Sequence, residues 1–288
     1  MPSAGALPAW AWSDVDVAVP RPSRLPGVTM AGFRQRARAF GDIAMVAHPS
    51  VSLFIELSDG EGLAYDVAGQ SRRGSVVLGL LPGQVRAAGC TTVNCLQIRL
   101  EPIVAAAVFG VTTGAVVALE DLWGRDAERA EQRLRAATSW DERFNVAEEI
   151  LGARLSTRTS VDPEVAHVWR RTFASRGRVR VDGLADEVGW SRKRLWSRFR
   201  SQLGITPKRA AQLMRFDHAA HLLAAGHAAG RVASESGYVD QSHLHRDVKA
   251  FTGLTPTAVA EAPWLAIDDV AWPGSASRGR LVNGRSHP

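Results

Sequence analysis

The chain has few of the features that mark a secreted or membrane-spanning protein. Only two of its 288 residues are cysteines, which is too few for a disulfide scaffold and typical of a reducing compartment. No apolar run approaches the roughly 20 residues needed to cross a bilayer. The first residues lack a basic patch followed by an apolar core, so we expect no secretory leader. These features favour a cytoplasmic protein without a membrane partner.

Acidic residues are scarce in one part of the chain. Residues 161–260 hold 16 Lys and Arg against 9 Asp and Glu, whereas residues 1–160 hold 16 against 17. No acidic residue occurs between Glu187 and Asp217. A basic region beside a neutral one is typical of a polyanion-binding module attached to a second domain. Charge alone would equally suit a solubilising surface.

The hydrophobic pattern predicts an α+β protein. Alternation of Leu96, Ile98 and Leu100 with polar neighbours is typical of a half-buried strand. After Pro102 the pattern changes to helices, one of them over about 125–137 and another after Ser139. We therefore predict a mainly-β domain with trailing helices, followed by an all-α domain. The expected boundaries are an extended arm over 1–27, a regulatory domain over 28–155, a linker over 156–162, a helical module over 163–262, and a tail over 263–288 that is disordered from about residue 265.

The helical region contains an internal repeat. Residues 184–207 (LADEVGWSRKRLWSRFRSQLGITP) resemble residues 232–256 (VASESGYVDQSHLHRDVKAFTGLTP). Four positions correspond at an offset of 49, namely Leu195, Phe199, Gly204 and Pro207 with Leu244, Val248, Gly253 and Pro256. The first glycines, Gly189 and Gly237, differ by 48. The second copy therefore has one extra residue in its turn, which is an inexpensive place for an insertion.

Each copy predicts two helices joined by a glycine turn. Gly189 or Gly237 ends the first helix, because glycine takes a left-handed conformation without strain. An aromatic residue follows, and then a capping residue, Ser191 or Asp240, opens the second helix. The second helices bury a narrow stripe, Leu195/Phe199 in one copy and Leu244/Val248 in the other. This is the helix-turn-helix layout.

A long helix is predicted between the copies. Leu213, Phe216, Ala220 and Leu223 are spaced by 3, 4 and 3 residues over about 206–225, a length of about 30 Å. Such a connector can hold two helices about one DNA turn apart, so that both enter successive major grooves. A helical repeat without a DNA role is the alternative, but it leaves the unbroken basic face of the first copy unexplained.

These motifs resemble the AraC/XylS family of bacterial regulators over residues 163–260. The resemblance rests on the paired units, on Gly204-Ile205-Thr206-Pro207, and on the segment from Gly237 to Leu244. Two departures are Ser197, where the family often has a basic or polar contact residue, and Val248, where a phenylalanine is usual. More weakly, residues 96–110, 119–124 and 139–144 resemble an uncharacterised sensory domain that precedes such modules.

The resemblance implies a set of DNA-contacting residues. Those expected to read base edges, by hydrogen bonds or by contact with a thymine methyl group, are Arg192, Lys193, Trp196, Ser197, Gln241, Ser242, His245 and Arg246. Those expected to contact phosphates, which set register rather than sequence, are Arg194, Arg198, Arg200 and Lys249. The helix starts at Thr206 and Thr255 would add backbone N–H groups.

Other chemistries find little support in the sequence. The pairs His218/His221 and His243/His245 lack further ligands for a metal site, and we expect no cofactor. Cys90 and Cys95 have four residues between them, unlike a CxxC pair. Cys95 is expected to be partly exposed, which leaves an oxidant-sensing role open beside that of an inert thiol. No nucleophile elbow, phosphate loop or dinucleotide motif occurs, so no catalytic residue is predicted.

The sequence thus predicts a transcription regulator, which the resemblance makes an activator. Its partner is double-stranded DNA, and its first domain is expected to sense a small-molecule effector or to form a homodimer. RNA polymerase is a further expected partner. An enzyme-like or purely dimerising first domain fused to the DNA-binding module remains the alternative.

Overall fold

The structure is a computed structural model of the chain. It describes residues 15–20, 23–35, 43–58, 63–67, 70–80, 85–88, 93–110, 116–156, 161–261 and 271–272. The first part of the chain is built mainly from strands and the second from helices, which confirms the predicted α+β architecture. Within the described residues, no helix combines the length and the apolar character needed to span a membrane.

Within the described ranges, ten short strands form two antiparallel sheets. The strands are β1 (Val15–Ala18), β2 (Val28–Gln35), β3 (Ile43–Met45), β4 (Val51–Glu56), β5 (Ala64–Val67), β6 (Gln70–Arg73), β7 (Val76–Leu78), β8 (Val85–Ala88), β9 (Asn94–Leu100) and β10 (Val116–Ala118). The larger sheet has the order β1-β2-β9-β4-β7-β10, and the smaller has the order β3-β8-β5-β6. Strand β1 lies within the predicted arm over 1–27 and pairs with β2.

The larger sheet is buried on both faces. On β9, the side chains of Leu96, Ile98 and Leu100 belong to the core shared with the helices, whereas Cys95 belongs to a second core with residues of the smaller sheet. This follows from the two-residue period of a strand, which sends successive side chains to opposite faces. We call the space between the two sheets the sandwich interior; its residues include Phe33, Phe54, Tyr65 and Cys95.

Cys95 corrects one expectation. It is buried rather than partly exposed, with 4% of its surface accessible. Burial, together with the nearby charge of Glu56, raises the pKa of the Cys95 thiol well above its usual range. A protonated, enclosed thiol is unreactive, so the structure gives no support to an oxidant sensor at this residue. Cys90 lies outside the described residues.

Eleven helices are described, four of them before the predicted linker. They are α1 (Pro102–Phe109), α2 (Leu119–Trp123), α3 (Arg125–Ala136), α4 (Trp140–Ser156), α5 (Pro163–Ala174), α6 (Val181–Glu187), α7 (Arg192–Leu203), α8 (Pro207–Ala224), α9 (Ala229–Glu235), α10 (Gln241–Thr252) and α11 (Pro256–Ala260). Helices α1, α3 and α4 contribute apolar side chains to the core on the outer face of the larger sheet.

The predicted linker over 156–162 is only partly a connection. Ser156 ends α4, and Val161 is buried. The backbone N–H of Asp162 donates to the side-chain carbonyl of Gln202 at 2.9 Å. Residues 157–160 of the predicted linker lie outside the described residues.

The two parts of the chain also touch elsewhere. Helix α1 lies against α7, and the imidazole Nε2 of His48 lies 3.8 Å from a carboxylate oxygen of Asp217 on α8. Ala271 and Trp272, from the tail that we predicted to be disordered from about residue 265, are buried in the sandwich interior. The prediction of disorder is therefore wrong at these two residues, because burial of the indole removes a large apolar surface from water.

Candidate nucleic-acid interface

The first helix pair consists of α6 and α7. Gly189 sits between them with a φ of 65°, in the left-handed region. The Ser191 hydroxyl caps α7 by accepting the Arg194 backbone N–H at 3.2 Å. Leu195 and Phe199 are fully buried. The predicted turn, cap and apolar stripe of the first copy are therefore confirmed.

The opposite side of α7 faces solvent. All seven predicted contact residues of this helix are exposed, and we call them together the α7 face: Arg192, Lys193, Arg194, Trp196, Ser197, Arg198 and Arg200. Trp196 is 46% exposed, an unusual position for a large aromatic ring on a soluble surface. The helix thus presents five cations and one aromatic ring on a surface without an acidic side chain of its own.

Several of these cations are already held by neighbours. The guanidinium of Arg198 makes two hydrogen bonds to the Asp162 carboxylate, at 2.7 and 2.8 Å. Arg192 forms an ion pair with Asp182 on α6 at 3.1 Å. Asp162 and Asp182 belong to no motif, so sequence reasoning missed them. Arg198 therefore also ties α7 to the start of α5.

Two arginines stack on tryptophans instead. The guanidinium of Arg194 lies 4.5 Å from the ring centroid of Trp190, and that of Arg200 lies 5.1 Å from the ring centroid of Trp196. Stacking leaves the in-plane N–H groups of a guanidinium directed outward, where they can meet a phosphate. Lys193 makes no ion pair with any residue that the structure describes.

The second helix pair consists of α9 and α10. Gly237 has a φ of 76°, and the Asp240 carboxylate caps α10 by accepting the His243 backbone N–H at 2.7 Å. Leu244 and Val248 are fully buried, which confirms the stripe of the second copy. The extra residue of this turn is Val239, which is 89% exposed. Sequence reasoning found the insertion but did not assign a role to this apolar side chain.

The outer side of α10 is exposed too. We call its predicted contact residues the α10 face: Gln241, Ser242, His245, Arg246 and Lys249. The side-chain nitrogen Nε2 of Gln241 lies 3.3 Å from Nε2 of His245. The α10 face carries two cations where the α7 face carries five, so most of the positive charge belongs to the first unit.

The two units bury an aromatic ring at different positions of their second helices. At the position where α7 buries Phe199, stacked on Trp169 with centroids 6.4 Å apart, α10 has Val248. Three residues later α10 buries Phe251, which stacks on Phe216 of α8 with centroids 4.8 Å apart. In the second unit the buried aromatic ring of the recognition helix therefore comes from Phe251, about one helical turn after Val248.

Helix α8 connects the two units. The Thr206 hydroxyl caps it by accepting the Arg209 backbone N–H at 3.2 Å, and its 18 residues span about 27 Å. The four predicted core positions, Leu213, Phe216, Ala220 and Leu223, are all buried. Helices α5, α9, α10 and α11 all pack on α8, so both units rest on one rigid element.

The histidines on α8 make specific contacts. His218 Nε2 lies 3.1 Å from a guanidinium nitrogen of Arg176, and His221 Nδ1 lies 2.8 Å from the carbonyl oxygen of Asp217. Burial, and then the charge of Arg176, lower the pKa of His218 to about 4. Within the described ranges, no cluster of three or more His, Cys, Asp or Glu side chains could hold a metal ion.

Parts of the chain are similar to a known family and to solved structures. Residues 184–262 match a family described as a helix-turn-helix domain. No curated protein matches the chain. A crystal structure of unsaturated fatty acid bound wild-type ToxT from Vibrio cholerae strain SCE256 is 10% identical and covers 84% of this chain and 98% of its own, with a TM-score of 0.50. That likeness shows a shared fold.

Two other structures are less similar overall. ToxT from Vibrio cholerae O395 is 12% identical and covers 82% of this chain and 98% of its own, with a TM-score of 0.48. The C-terminal domain of AraT, described as a response regulator from Geobacillus stearothermophilus, is 20% identical, covers 35% and 86%, and has a TM-score of 0.33.

Proposed function

We propose, from the premise that residues 184–262 are an AraC-type helix-turn-helix domain, that this chain activates transcription by reading two successive major grooves of DNA. That domain belongs to DNA-binding regulators of transcription and not to a class of enzymes. The observation that carries the proposal is that the α7 face and the α10 face are both exposed, while the apolar stripes of the same two helices are buried in the hydrophobic core. The cytoplasm of a bacterium is the corresponding location.

The base-reading residues follow from position and chemistry. Arg192 and Lys193, in the first turn of α7, suit the N7 and O6 acceptors of guanine, and Gln241, in the first turn of α10, suits adenine. Trp196 offers its exposed ring to a thymine methyl group. Ser197, Ser242, His245 and Arg246 complete the reading set on the same two faces.

The phosphate contacts are Arg194, Arg198, Arg200 and Lys249. Arg194 and Arg200 are the best prepared of these, because their guanidinium groups lie over tryptophan rings, an arrangement that leaves in-plane N–H donors available to a phosphate. Arg198 would have to share its guanidinium between a phosphate and Asp162. These contacts set the position of the domain on the duplex and make binding depend on salt.

The first domain is proposed to control the second. It contacts the DNA-binding module through α1 and α7 and through His48 and Asp217, so an effector or a second copy of the chain can change how the module is presented. ToxT, which shares the fold, has been crystallised with a fatty acid. Recruitment of RNA polymerase and formation of a homodimer belong to the same proposal.

Selection of bound sequences from a random DNA pool by the full chain, at two salt concentrations, tests this function. We expect a site of about two helical turns, with informative positions in two clusters about 10 base pairs apart. Lys193→Ala should relax one cluster, and Gln241→Ala should relax the other, each at a cost of about 1–3 kcal/mol for the preferred base.

Arg200→Ala separates positioning from reading. It should weaken binding to all sequences and reduce the salt slope by about 1, because one phosphate contact is lost. Arg129→Ala is the matched control, since it removes an exposed cation from α3 in the first domain and should leave the DNA affinity unchanged. If Lys193→Ala and Arg200→Ala caused the same loss on every sequence, the assignment of roles would be wrong.

A further inference from the structure

Two residues that follow the DNA-binding module are buried in the first domain. Ala271 is fully buried and Trp272 is 4% exposed, and both belong to the core between the two sheets. They come after α11, the last helix of the module, which ends at Ala260. The chain therefore returns from the DNA-binding module to the sandwich interior.

The indole of Trp272 lies on a charged side chain. The guanidinium carbon of Arg99 is 4.2 Å from the centroid of the Trp272 ring. Arg99 is on β9, on the same face as Cys95 and Gln97, and it pairs in register with Thr29 on β2 and Ser52 on β4. These neighbours form a polar row across the inner face of the larger sheet.

This polar row is unusual for a structural core. The other described side chains of the sandwich interior are mostly apolar or aromatic, with Phe33, Phe54 and Tyr65 among them, beside the buried polar residues Gln35 and Glu56. Apolar walls with a few polar groups are typical of a small-molecule site. Trp272 supplies a flat ring where such a site would bind one, and this ring makes a cation–π contact with Arg99.

We propose that Trp272 is an intramolecular occupant of a ligand site, and that a planar aromatic compound binds there by displacing its indole. The displaced ring would release one contact between the first domain and the chain that follows the DNA-binding module, besides the contacts of α1 with α7 and of His48 with Asp217. This regulatory role rests on the proposed function, whereas the exchange of rings at Arg99 does not.

Indole binding to full-length Trp272→Ala tests the exchange. Removing the side chain should lower the melting temperature by several degrees, and added indole should restore most of that loss. By calorimetry we expect indole to bind Trp272→Ala at least about tenfold more tightly than the wild type, because the wild-type site is filled. Cyclohexanol, which has no π-system, should bind more weakly than indole.

Two further variants keep the test decisive. Trp272→Phe retains a ring, so it should fold and melt near the wild-type temperature even if Trp272→Ala does not fold. Adding Arg99→Met to Trp272→Ala should weaken indole binding, because the cation under the ring is lost. If Trp272→Ala melted like the wild type and did not bind indole, or if Trp272→Phe bound indole as well as Trp272→Ala, the proposal would be refuted.

The regulatory part has its own readout. With the DNA site selected above, Trp272→Ala and excess indole on the wild type should change DNA affinity in the same direction, by about fivefold or more. Indole binding without any effect on DNA affinity would overturn the regulatory role while leaving the ligand site. Failure to select any DNA would instead count against the proposed function, since indole binding is measured without DNA.

Discussion

Three glycines of the DNA-binding module should respond to the same substitution in three different ways. Gly177, in the turn between α5 and α6, has a φ of 70°, and a methyl group added there would lie 2.0 Å from the carbonyl oxygen of Ala211 on α8. Gly189, in the first helix-turn-helix, has a φ of 65°, but a methyl group added to it would meet open space. Gly183 lies inside α6 and likewise has nothing within 4 Å of the position that a methyl group would take.

The expected magnitudes follow from these environments. Gly189→Ala should cost about 1–2 kcal/mol, because only the left-handed strain of a side-chain-bearing residue is added. Gly177→Ala carries the same strain and must also push the backbone of α8 away, which adds about 1–3 kcal/mol. Gly183→Ala should stabilise the helix by about 0.5–1 kcal/mol, since alanine loses less conformational entropy than glycine.

Urea denaturation of the full chain, followed by helical circular dichroism, measures the series. Gly183→Ala is the built-in control, because it introduces the same methyl group without strain or overlap. If Gly177→Ala lowered the free energy of unfolding by no more than Gly189→Ala does, Gly177 would not approach the backbone of α8 closely. A loss for Gly183→Ala would contradict its helical, open environment.

Three other predictions follow from single side chains. Val248→Phe should destabilise by about 1–3 kcal/mol in the same assay, because Phe251 already fills the second core. Trp196→Ala should change stability by less than about 0.5 kcal/mol, because the ring is exposed, yet it should weaken DNA binding in a gel-shift titration. His218, whose folded pKa is about 4 through burial and Arg176, is neutral in the folded state. The unfolded state binds a proton at His218 below its unfolded pKa of about 6.5, whereas the folded state does not, so the stabilisation from the neutral imidazole is complete above about pH 6.5 and is lost as the pH falls toward 4. Melting temperatures of the wild type should therefore fall more steeply over that pH range than those of His218→Gln.

The helix-turn-helix units could be predicted from the sequence because the residues that determine them act locally. A glycine turn, a capping hydroxyl and an apolar pair four residues apart all act within one or two helical turns. Ser191, Asp240 and Thr206 accordingly cap the helices that the pattern assigned to them. Repetition strengthened each of these inferences, since the same determinants recur in both copies.

Side-chain partners distant in the chain could not be inferred in the same way. Arg198 and Asp162 are 36 residues apart and form a bidentate pair only because α7 packs beside α5. The sequence showed only that Val248 departs from the usual phenylalanine; that Phe251, three residues later, supplies a buried ring stacked on Phe216 became visible in the packing of α10 on α8. Both cases depend on which helices become neighbours.

By itself, then, the sequence determined that two helices with exposed cations each follow a glycine turn, because periodicity, capping and charge are properties of short segments. Only the tertiary structure decided that Trp272 lies on Arg99, 173 residues away in the chain, and that Cys95 is enclosed between two sheets. Burial of these groups depends on how β-strands pair and which segments return to cover them, and such long-range choices leave no period in the sequence.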